Sequence, residues 1–136
     1  MIQVFCNKRG SGKTKALINM ANSRILTAKG DVVYVNYNQR PMLELDRRIR
    51  FISTEDYNLK DYNSFYGFLC GMLSEDYDIE TIYVDGLSNI ISGDIRDAAH
   101  LFLSLEKLSQ KNGLDVYINI SQDSKELPEY IKKYVA

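Results

Sequence analysis

Short runs rich in β-branched and aromatic residues alternate with segments of helical period, and this alternation constrains the chain more than any other feature. The runs are "IQVFC" (2–6), "DVVYVNY" (31–37), "RRIRFIS" (47–53), "TIYVD" (81–85) and "DVYINIS" (115–121). Leu17, Met20, Ala21 and Ile25 mark one face of a helix predicted over 13–29, with Gly30 as its stop. Phe65, Phe68, Leu69, Met72 and Leu73 recur at i, i+3, i+4, i+7 and i+8 and predict a second helix over 63–73. Ala98, Leu101, Phe102, Leu105 and Leu108 define a third, with Asp94 as its N-cap and Gly113 as its close. Pro128 opens a short C-terminal helix, "PEYIKKYVA". Strands joined through helices cannot form hairpins, because a helix between two strands makes a parallel crossover. The expectation is therefore an α/β fold, a three-layer sandwich with a mostly parallel five-stranded sheet, as one domain over 1–136. The dense charge of 47–53 places that run at an edge. In such sheets ligands bind beyond the carboxyl ends of the strands.

At that position after the first strand stands "FCNKRGSGKT" (5–14). Gly10 and Gly12 allow the backbone to turn so that successive N–H groups, from Arg9, Gly10, Ser11 and Gly12, point inward at a phosphate. Lys13 brings an ammonium to the β and γ phosphates, Thr14 offers a hydroxyl to Mg²⁺, and the helix that follows adds its N-terminal dipole. The P-loop pattern has glycine where this chain has Asn7, and asparagine is the next best tolerated residue at left-handed backbone angles. A phosphate loop needs a carboxylate on a neighbouring strand to hold the magnesium shell. "TIYVDG" supplies it in Asp85, with Gly86 directly after it.

Taken together, the loop, "GDVVYVNYNQ", "IYVDGLSNI" and "DVYINISQ" resemble the P-loop NTPase superfamily, in its RecA/KaiC-like (ASCE) branch. Within it the chain is similar to small bacterial proteins with a minimal core, labelled only as ATP-binding. The resemblance spans residues 1–122. It implies that the strand at 115–121 lies between the P-loop strand and the strand that ends in Asp85. It also implies Mg·ATP as ligand, with Lys13 and Thr14 on phosphate, and Thr14 and Asp85 on the metal. The family's catalytic glutamate falls on Asn38, with Asn36 as the neighbouring possibility. Its γ-phosphate sensor falls on Gln122 or Ser121. An amide can orient a water but cannot take its proton. The implied function is a slow or partner-activated ATPase, or a nucleotide switch. The alternative is an interaction or structural module that keeps the fold and no longer binds nucleotide.

Several features narrow this further. The 136 residues carry 17 Lys+Arg against 18 Asp+Glu, so no global positive field draws the chain to nucleic acid or lipid. Arg40, Arg47, Arg48 and Arg50 cluster after the second strand, either as an arginine finger for a neighbouring subunit or as a charged sheet edge. Glu44, Asp46, Glu55 and Asp56 flank them and disfavour a nucleic-acid role. The partners expected are a nucleotide and a protein, or a second copy of the chain. Tyr34, Tyr83 and Tyr117 read as sheet packing, while Tyr37, at a strand end, could reach an adenine. Cys6 and Cys70 lie among apolar residues in no metal-ligand spacing, and His100 is the only histidine, so no zinc site is expected. No signal segment and no apolar run of membrane-spanning length is present, which leads to a cytoplasmic expectation. The guanine-reading N-K-x-D motif is missing, since the only "NK" is Asn7-Lys8. An ABC-type signature is also missing, and so are the cysteines of a thymidine-kinase lasso.

Overall fold

The structure, a computed structural model, describes residues 1–6 and 12–136. The expectations for Asn7, Arg9, Gly10 and Ser11 lie outside the described residues.

Five strands form one all-parallel sheet: β1 (Ile2–Cys6), β2 (Asp31–Asn36), β3 (Arg50–Ser53), β4 (Ile79–Asp85) and β5 (Asp115–Ile120). The order is β1-β5-β4-β2-β3, so β5 does lie between β1 and β4, and β3 is an edge strand. The other edge gains a single parallel bridge from the C-terminal segment, Val4 to Val135. Helix α1 (Lys13–Arg24) covers one face. Helices α2 (Tyr62–Glu75), α4 (Ala99–Asn112) and the short α5 (Glu129–Lys132) pack on the other, with α3 (Leu87–Ile90) at the carboxyl end of β4. The result is three layers.

The two faces differ in chemistry because successive side chains of a strand point to opposite sides. Val33, Val35, Ile82, Val84, Val116 and Ile118 meet Phe65, Leu69, Leu101 and Leu105 in an aliphatic core. The α1 face is aromatic: Tyr34, Tyr83 and Tyr117 are buried against Leu17, Ile18 and Ala21. Their rings stack, Tyr34–Tyr83 at 6.2 Å and Tyr83–Tyr117 at 5.1 Å between centroids. The ladder reaches Phe51 on β3 and Phe5 on β1. The sequence expectation of sheet packing for these tyrosines holds.

Helix boundaries differ from expectation for local reasons. Helix α1 ends at Arg24, not at 29; the amides of Thr27 and Ala28 both turn back to the Arg24 carbonyl. Gly30 is still required, because a Cβ there would lie 2.2 Å from the Asp78 carbonyl oxygen. Asp61 caps α2, its carboxylate accepting from the Ser64 amide at 2.7 Å. Asp94 caps only one 3₁₀ turn, Ile95–Asp97, and α4 proper begins at Ala99. The Tyr62 hydroxyl donates to the Gly93 and Asp94 carbonyls and the Tyr130 hydroxyl to that of Ile95. These bonds hold the segment before α4 in its tight turn. No helix among the described residues is long and apolar enough to cross a membrane.

Candidate phosphate and metal site

Helix α1 starts immediately after Gly12, whose backbone is left-handed (φ 80°), a conformation only glycine adopts without strain. That turn sets Lys13 and Thr14 at the head of the helix, over the carboxyl end of β4. There the Thr14 hydroxyl donates to Oδ1 of Asp85 at 3.0 Å, joining residues 71 positions apart. Asp85 ends β4 and is 3% exposed.

A buried carboxylate needs donors, and Asp85 has them from two further strands. Tyr34 Oη, on β2, donates to Oδ2 at 2.7 Å. Asn119 Nδ2, on β5, donates to Oδ1 at 2.8 Å, and the Asn119 amide oxygen accepts from the Gly86 backbone N–H. Gly86 is left-handed (φ 69°) and starts α3, so one buried side chain fixes both the carboxylate and the turn that follows it. Burial, and then the adjacent Asp85 charge, push the Tyr34 phenol far above its ordinary pKa, which keeps it a donor.

A cavity of about 300 Å³ opens beside these groups, lined among the described residues by Gly12, Lys13, Thr14, Asp85, Gly86, Asn89, Asn119 and Ser121. One carboxylate and one hydroxyl, 3.0 Å apart beside a lysine, are the residues here that could hold magnesium, which binds few protein ligands and completes its shell with water and phosphate oxygens. No cluster of three or more His, Cys, Asp or Glu suited to a metal occurs among the described residues.

The residues expected to face the γ-phosphate separate into two groups. Ser121 lines the cavity. Gln122 lines a second cavity next to it, with Tyr62, Ser88 and Ser92, and its Oε1 is buried without a hydrogen-bond partner among the described residues. Asn38 is not among the residues that line the first cavity. Its amide oxygen accepts from Asn36 Nδ2 at 3.0 Å and from the Arg40 amide at 3.1 Å, which organises the turn after β2. Asn36, by contrast, pairs directly with Asp85 across the sheet. Of the arginines, Arg48 bonds Asp46 and Arg50 lies 3.5 Å from Asp76, at the edge formed by β3.

Sequence reasoning assigned Tyr34 to packing alone and left Asn119 without a role. A signal was present: Tyr34-Val35-Asn36, Tyr83-Val84-Asp85 and Tyr117-Ile118-Asn119 repeat one pattern, and the strands align them in register. No protein-family model matches the chain, and no curated protein sequence matches it.

Proposed function

We propose that the protein binds Mg·ATP at this cavity and turns it over slowly, as a nucleotide switch or a partner-activated ATPase. The observation that carries the reading is the Thr14–Asp85 hydrogen bond beside the cavity headed by Gly12 and Lys13. In this reading Lys13 neutralises β- and γ-phosphate charge, Thr14 ligates the metal, and Asp85 orients a metal-bound water. The metal, when bound, withdraws charge from the transferring phosphoryl group. Ser121, which lines the cavity, is the side chain best placed to meet the γ-phosphate, and Asn89, an amide in the same lining, is placed to orient a water. Neither is a base. Gly86 supplies no carboxylate after Asp85 either, so hydrolysis by the isolated protein should stay below about 1 s⁻¹, the low end of the usual enzyme range.

Thermal unfolding of the natural protein and of Lys13→Ala, with and without Mg·ATP, tests the reading. Ligand at a hundredfold its dissociation constant adds about 2.7 kcal/mol, several degrees for a domain of this length. The expected result is a shift in the natural protein that Lys13→Ala abolishes. No shift in either protein at millimolar Mg·ATP would overturn nucleotide binding.

A further inference from the structure

Tyr34 is fully buried, and for packing alone phenylalanine would serve, as Phe51 does in the same ring ladder on β3. The hydroxyl has another use. Among the described residues, Oδ1 of Asp85 accepts from Thr14 and Asn119, and Oδ2 accepts from Tyr34. The phenol on Oδ2 fixes the carboxylate in the orientation that presents Oδ1 to Thr14. The ring bearing that phenol is wedged between Tyr83 at 6.2 Å and Phe51 at 6.3 Å, so its oxygen has little freedom.

We infer that Tyr34 is a positioning residue for magnesium: by holding Oδ2 it fixes the Asp85 carboxylate with Oδ1 toward Thr14, beside the cavity where the metal would bind. This rests on the Mg·nucleotide reading above and adds a residue to it. The phenol touches neither nucleotide nor metal and acts only through Asp85. It therefore governs the dependence of binding on magnesium rather than affinity for the nucleotide itself. Groups that orient a metal-binding side chain typically contribute about ten- to a hundredfold to metal affinity.

The test is a magnesium titration of fluorescent-ATP binding by the natural protein, Tyr34→Phe and Tyr83→Phe, with affinity in EDTA as reference. Tyr83 shares the stack, but its hydroxyl donates to the Met20 carbonyl, at 3.4 Å, rather than to Asp85. Tyr34→Phe should raise the half-saturating magnesium concentration about tenfold, with EDTA affinity unchanged and Tyr83→Phe at the natural value. An unchanged magnesium requirement in Tyr34→Phe overturns the inference and leaves nucleotide binding standing. An equal rise in both variants also overturns it, because packing of the stack would then be responsible. If the natural protein binds no fluorescent ATP with or without magnesium, both readings fall together.

Discussion

Asn119→Leu should be among the most destabilising single changes in this protein that leave side-chain volume nearly constant. Asn119 is 2% exposed, and its amide makes two bonds, one to the Asp85 carboxylate and one from the Gly86 N–H. The substitution removes a hydrogen bond to a charged group, worth about 1.5–3 kcal/mol, and strands a buried backbone donor, which costs about 1–3 kcal/mol. Because both losses fall on one network they will not add fully, and a total of about 3–4 kcal/mol is expected. For a domain of this length that lowers the melting temperature by about 10–15 °C. Urea unfolding followed by circular dichroism should show an earlier midpoint with an unchanged slope, the signature of a change in stability alone. Asn119→Asp separates the two bonds. It keeps an acceptor for Gly86 but sets a second carboxylate against Asp85, so it should be at least as damaging at neutral pH. A loss below about 1 kcal/mol for Asn119→Leu, the scale of an ordinary surface change, would refute the reasoning.

Glycine substitutions give a paired test of backbone crowding. Gly30→Ala would place a Cβ 2.2 Å from a backbone oxygen and should cost about 1–3 kcal/mol by thermal unfolding. Gly67→Ala, in α2 with nothing within 4 Å, should instead stabilise by about 0.5–1 kcal/mol. At high pH, the burial of Tyr62 and Tyr83 pushes both phenols up to about 12, from an ordinary value of 10, and Tyr34 further still. A folded-state pKa raised in this way contributes stability that is fully present below pH 10 and lost as the pH rises through 12. Unfolding should therefore set in over that window, and tyrosinate absorbance from the buried phenols should rise together with the loss of circular dichroism.

The layers of this fold were legible because its periodicities are unambiguous. The i, i+3, i+4 pattern of Phe65, Phe68 and Leu69 gives α2, and "TIYVD" can only be a buried strand. The start of α4 was not legible. Asp94 carries a genuine capping signal and does cap a turn, but Tyr62 and Tyr130 bind the carbonyls of that turn from distant elements. No local pattern encodes such bonds. The same holds within the site. Thr14 and Asp85 follow from spacing and strand-end chemistry, whereas the donors to Asp85 depend on strand order, since Asn119 can reach it only because β5 lies beside β4.

Strand order also explains why the carboxylate stands on β4 and amides stand on either side. Tyr34/Asn36, Tyr83/Asp85 and Tyr117/Asn119 are successive same-face residues on three adjacent strands, so a row of polar side chains continues each column of the aromatic ladder toward the carboxyl edge. Adjacent strands are about 4.8 Å apart, so an acid moved one strand sideways would stand beyond hydrogen-bond reach of the hydroxyl that Thr14 presents at 3.0 Å from Asp85. A second acid at position 36 or 119 would lie beside Asp85 in the same row, where like charges raise one another's pKa and favour uptake of a proton. An amide avoids that conflict, and at position 119 it also supplies a donor. Under the nucleotide-binding reading, this gives a physical basis for slow turnover. Asn36, an amide at the end of β2, cannot take a proton from water, so that strand end offers no base for hydrolysis.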